Sequence, residues 1–96
     1  MGFIMAKIGN AKRFIASGAI GDAGKSVIIA GIEVMGLASD STVTIYDSTG
    51  AGPAGEEKWQ CSLQPGGNKS FTPWFRLSNG GYVQIDGTAK VFLYLV

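Results

Sequence analysis

A chain of 96 residues holds one domain, and a domain this short buries only roughly 60–65% of its unfolded surface. With 46% hydrophobic and 16% charged residues, it carries more apolar surface than such a core hides. One cysteine excludes an internal disulfide, and the lack of histidine removes the commonest metal ligand and general base, which leaves oligomerisation as the remedy.

The net charge of +1 lacks the basic excess of a nucleic-acid binder, but it is unevenly spread. Residues 1–25 hold Lys7, Lys12, Arg13 and Lys25 against Asp22, whereas residues 26–96 hold four basic and six acidic side chains. Residues 1–13 read as an extended N-terminal arm in which Phe3, Ile4, Met5 and Ile8 sit among Lys7, Lys12 and Arg13. Such an arm suits docking onto an acidic protein surface. Met1–Met5 is too short for a signal h-region, and Ser26–Met35 is broken by Gly31 and Glu33. No secretory signal and no membrane partner are expected.

From residue 14 onward strands are expected, because each interior glycine costs a helix about 1 kcal/mol and the 15 glycines leave no long window free. Phe14–Ala19 reads as the first strand. In Ser26–Val34 the residues Ile28, Ala30, Ile32 and Val34 share one face, with Val27, Ile29, Gly31 and Glu33 on the other. After a turn at Ser39–Ser41, Thr42–Tyr46 points Val43 and Ile45 inward. Asp47–Gly55 is a Gly-, Ser- and Pro-containing loop. Glu57–Leu63 alternates Trp59, Cys61 and Leu63 against Lys58, Gln60 and Ser62. Lys69–Phe75 contains Pro73, which confines that strand to a sheet edge or a bulge.

The remaining residues read as a hairpin. A three-residue loop Asp86–Thr88 pairs Ile85 with Ala89, Gln84 with Lys90, Val83 with Val91 and Tyr82 with Phe92, so that each cross-strand pair matches apolar with apolar or polar with polar. Val91–Val96 has no polar alternation beyond the Tyr94 hydroxyl, so both faces of that strand need cover. The count of six or seven strands predicts a single all-β domain over residues 14–96, an antiparallel β-sandwich or jelly-roll-like barrel.

No catalytic set emerges. Ala19–Ser26 resembles a phosphate-binding P-loop with Ala in place of the first Gly, but β-branched residues follow it where that loop needs a helix. Cys61 shares a face with Trp59 and Leu63 and has no histidine to activate it. Glu56, Glu57 and Asp86 read as solvated acids at strand ends. Trp59, Trp74, Tyr82 and Tyr94 could form a sugar-stacking platform, although strand aromatics more often serve core or interface. No enzyme activity, cofactor or metal is expected.

The series Val27–Gly36, Val43–Asp47 with its Gly-rich loop, Lys58–Trp59, Pro73–Leu77, Asn79–Val83 and Asp86–Thr88 with a closing strand resembles small β-sandwich structural proteins of tailed bacteriophages. Among these it is similar to capsid decoration (cement) proteins. The resemblance covers residues 25–96 and implies a virion protein, made in the bacterial cytoplasm, that binds the assembled major capsid protein as a homo-oligomer, a trimer being the natural arrangement. The expected interface comprises Phe3, Ile4, Ile8, Lys12 and Arg13 of the arm and Phe92, Tyr94 and Val96 of the closing strand. A tail, neck or baseplate component and a carbohydrate-binding adhesion module are the alternatives.

Overall fold

The computed structural model describes residues 11–49 and 52–96. The chain folds as an all-β sandwich of nine strands among those residues: β1 (Ala11–Phe14), β2 (Gly18–Ala19), β3 (Val27–Gly36), β4 (Ser41–Asp47), β5 (Glu56–Leu63), β6 (Asn68–Phe71), β7 (Phe75–Leu77), β8 (Tyr82–Asp86) and β9 (Ala89–Leu95). Sheet A runs β1-β9-β3-β6, with β7 also on β3; sheet B runs β2-β8-β4-β5. Every pairing is antiparallel.

The core lies between the sheets. Ile29, Ile32, Val34, Val91 and Leu93 of sheet A meet Val43, Ile45, Cys61, Leu63 and Val83 of sheet B, all buried. Each fully buried aliphatic side chain contributes roughly 1.5–3 kcal/mol, so alternation along the strands fixes which face turns inward. In β4 and β5 the inward residues are those the alternation predicts. Thr44, on the outer face of β4, is also buried, because β5 and β8 flank it and Gln60 Nε2 donates to its hydroxyl at 3.1 Å.

Four expectations are corrected. The expected first strand, Phe14–Ala19, is two short strands: β1 pairs with β9 in sheet A and β2 with β8 in sheet B. Lys12 and Arg13, expected in a free arm, therefore belong to the sheet. The expected strand Lys69–Phe75 is interrupted at Thr72–Trp74, and its halves β6 and β7 both pair with β3. Pro73 has no N–H to give a ladder, and the break falls around it on the sheet edge.

The third correction concerns β3. Ile29 faces Leu95 and Gly31 faces Tyr94, which leaves Ala30 as an extra residue. One extra residue reverses parity, so Ile29 turns inward together with Ile32 and Val34, where unbroken alternation had put Ile28 with them.

Last, β8 and β9 do not form a hairpin, because Asp86–Thr88 carries the chain from sheet B to sheet A. Period-two alternation records which face of a strand is buried, not which sheet holds the strand. The crossing is fastened to the β3–β4 corner. Thr88 N–H donates to Ser41 Oγ at 2.9 Å, and Ala38 and Ser39 N–H donate to Thr88 Oγ1 at 2.9 and 3.0 Å. Gly87 makes the corner possible. Its φ is 97°, and a Cβ there would lie 2.4 Å from the Asp40 carbonyl oxygen.

A lysine closes each side of the sandwich. Lys12, opposite core residue Leu93 on edge strand β1, donates from Nζ to the Ile20 carbonyl at 2.6 Å. Lys69, opposite core residue Val34 on edge strand β6, donates to the Ser62 carbonyl of β5 at 3.1 Å. An inward-leaning charge on an edge strand also discourages pairing with another chain.

Candidate functional site

The outer face of sheet A gathers the chemistry. Register sets Arg13, Phe92, Glu33 and Ser70 in one row across β1, β9, β3 and β6, and Ala11, Tyr94 and Gly31 in the next. Lys90 and Met35 pair beyond the first row, and Ile28 and Arg76 pair at the other end. Phe92 and Tyr94 are half-buried and Val96 is 60% exposed, whereas Val91, Leu93 and Leu95 face the core. Among the described residues nothing forms a second layer over this face.

Of the expected interface residues, Phe92, Tyr94 and Arg13 share this outer face. Val96 follows directly on β9, its N–H donating to the Ile28 carbonyl at 3.0 Å. Lys12 turns the other way and uses its ammonium on Ile20. Phe3, Ile4 and Ile8 lie outside the described residues.

Charge divides between the sheets. The strands of sheet A carry five basic residues and one acid, Glu33; those of sheet B carry four acids and one base, Lys58. Lys58 sits 3.2 Å from Glu56, an exposed pair of the kind that contributes little. The polarity anticipated between arm and body thus runs through the sandwich as well, and the apolar outer face of sheet A is its basic side.

A concavity interrupts that face. A cleft of about 310 Å³ opens where the β3 bulge meets the break between β6 and β7. Gly31, Tyr94, Glu33, Ser70, Thr72 and Trp74 supply its chemistry. Tyr94 donates its hydroxyl to Glu33 Oε1 at 3.2 Å. Partial burial, then that hydrogen bond and the carboxylate's negative charge, raise the Tyr94 pKa above its ordinary 10.0. Trp74 is 60% exposed and has φ 49°, a conformation that glycine normally supplies after a proline.

The four aromatics considered together in the sequence separate. Trp59 packs edge-on against Phe71, ring centroids 5.2 Å apart, beside the core. Tyr82 lies in sheet B opposite Tyr46. Trp74 and Tyr94 alone share a cleft. Sequence reasoning missed Glu33 as their companion; the signal was a lone acid in an otherwise apolar strand.

The other motifs resolve locally. Ile20 is buried, and the P-loop-like segment runs through a turn into β3, so no helix N-terminus is there to hold phosphate. Cys61 is buried, with Sγ 3.6 Å from the Ser62 carbonyl oxygen. Among the described residues no three His, Cys, Asp or Glu side chains are grouped to hold a metal ion. A wider cleft of about 680 Å³ lies at the β3–β4 corner, bordered by Asp40, Asp86 and Lys69. Lys69 is engaged there with Ser62.

No family model matches the chain, and no curated protein matches it. Among solved structures, a hydroquinone 1,2-dioxygenase from a Sphingomonas species, with 4-hydroxybenzoate bound, is similar over 90% of this chain at 12% identity and a TM-score of 0.43. The chain spans 57% of that structure's length, and the likeness assigns no residue here a role.

Proposed function

We propose that this protein is a non-enzymatic structural component of a tailed-phage particle, a decoration protein that docks on the assembled major capsid shell through the outer face of sheet A. The observation that carries the reading is the two-sided apolar character of β9. Val91, Leu93 and Leu95 complete the core while Phe92, Tyr94 and Val96 face outward. The pattern Val91–Val96 and the resemblance over residues 25–96 support the same reading. Arg13, Lys90 and Arg76 around the apolar centre suit a shell surface bearing acids.

Size favours many weak contacts over one strong one. The strands of sheet A, from three to ten residues long at about 3.4 Å per residue and about 4.8 Å apart, present roughly 450 Å², against about 800 Å² per partner in a standard stable interface. A protein bound in many copies tolerates this. Binding only the assembled shell stabilises it by RT ln(1 + [L]/Kd), about 4 kcal/mol per site at a thousandfold excess, and the sites sum over the particle.

The test is co-sedimentation of the purified protein with heads assembled without it. Wild type should bind at hundreds of copies per head and raise the heads' melting temperature, and Phe92→Asp should not bind. A copy number of six to a few dozen per virion would place the protein in the tail instead. Absence from purified virions would end the phage reading.

A further inference from the structure

We propose that the cleft between Trp74 and Tyr94 is a saccharide-binding site for a short neutral glycan, the sugar's C–H face lying on Trp74 and its hydroxyl edge meeting Glu33, Ser70 and Thr72. This goes beyond the docking reading and does not depend on it; because the cleft opens on the docking face, it is a property of the protein before it docks.

Three features converge on the cleft. Trp74 combines a left-handed φ of 49° with 60% exposure, so the fold holds a large apolar ring outside its core in a backbone state that disfavours it. Strain of this kind persists where surrounding structure enforces it, and it clusters at ligand sites. Opposite, Gly31 lets Tyr94 lie close. A Cβ on residue 31 would sit 3.2 Å from Tyr94 Cδ2 and 3.5 Å from its Cβ. The bulge at Ala30 and the break at Thr72–Trp74 fall together, which makes the hollow in the sheet face.

The polar groups select the ligand class. Among the described residues Glu33 is the only charged one lining the cleft, so a phosphate, sulfate or other anion seated there would meet a carboxylate at contact range, with Arg13, Lys90 and Arg76 outside the lining. An apolar side chain would desolvate that carboxylate without replacing its hydrogen bonds, which is unfavourable. A quaternary ammonium would gain from the aromatic faces and from the Glu33 charge, but its alkylated nitrogen donates no hydrogen bond to Glu33, Ser70 or Thr72, and Arg13, Lys90 and Arg76 stand on the same face. A pyranose answers both demands, because it has an apolar face and an edge of hydroxyl donors and acceptors. The volume, about 310 Å³, is at the low end of ligand clefts, about 300–1,000 Å³, which fits a short saccharide.

The test uses the full chain on an array of neutral and N-acetylated oligosaccharides, with calorimetry on the best binder and on choline chloride. At least one neutral glycan should bind. Trp74→Gly, which relieves the positive φ, should keep the wild-type melting behaviour while losing more than about tenfold in affinity, as truncating a central aromatic contact does. Glu33→Gln should weaken the same glycan. Arg13→Glu, on β1 opposite Phe92 and outside the cleft lining, should leave glycan binding unchanged whether or not it alters docking to heads, which separates the two readings. No glycan bound at millimolar concentration, binding undiminished in Trp74→Gly, or preference for choline would each overturn the proposal.

Discussion

Tyr94 and Glu33 share a hydrogen bond of 3.2 Å that joins β9 to β3 on the outer face of sheet A. The neutral phenol donates to the carboxylate, so ionising Tyr94 destroys the bond and sets two negative charges side by side. Because the folded-state pKa is raised above 10.0, the stabilisation is fully present below pH 10 and is lost as pH rises through the folded value. Denaturation midpoints measured from neutral to strongly alkaline pH should fall more steeply for wild type than for Tyr94→Phe. Parallel curves would show that the bond has no such role.

The two faces of β9 predict unequal costs at neighbouring positions. Leu93 is fully buried, and Leu93→Ala should cost about 2–5 kcal/mol. Phe92 faces outward and is half-buried, and Phe92→Thr, which keeps strand propensity, should cost about 1 kcal/mol or less. Urea denaturation decides it, and equal losses would contradict the assignment of faces.

Two left-handed glycines should also differ. Gly87→Ala meets the Asp40 carbonyl at 2.4 Å in addition to its backbone strain at φ 97°, so a loss of roughly 3 kcal/mol is expected. Gly24 has φ 78° with nothing within 4 Å of its Cβ position, and Gly24→Ala should cost about 1 kcal/mol. Thermal melts of the two variants test the order.

Removing the edge lysines should affect association more than stability. Lys12→Ala and Lys69→Ala each forfeit one hydrogen bond to a carbonyl, worth about 1 kcal/mol. The double variant presents both edges of sheet A without their inward charges and should aggregate faster at equal unfolded fraction, read by light scattering.

Truncation should show a sharp boundary inside the expected arm. Deleting residues 1–10 leaves β1 and its pairing with β9 in place, so it should lower the melting temperature by less than the longer deletion does. Deleting residues 1–14 removes the strand paired to β9, together with Phe14 on the core and the Lys12 bond. That variant should be markedly destabilised, as circular dichroism melts would show.

Much of this architecture is legible in the sequence because alternation is a local record of burial. Val43 and Ile45 in β4, and Trp59, Cys61 and Leu63 in β5, turn inward as their spacing says, and Pro73 marks the break in the edge. What alternation cannot register is parity change and sheet membership. One inserted residue at Ala30 brings Ile29 to the core, and the pairing of Ile85 with Ala89 looks favourable although Gly87 carries the chain across to the other sheet. The cleft was hidden for a further reason. Glu33, Trp74 and Tyr94 are brought together only by the order β9-β3-β6, and no short motif contains them.

The antiparallel pairing of β1 with β9 sets Ala11 directly opposite Tyr94, so the two ends of the described chain leave the sandwich side by side. A tensile load applied between residues 11 and 96 therefore opens this ladder like a zipper, one backbone bond at a time, and never stretches all of its bonds in parallel. The sandwich is mechanically soft along that axis, and β1 is the element that peels away first.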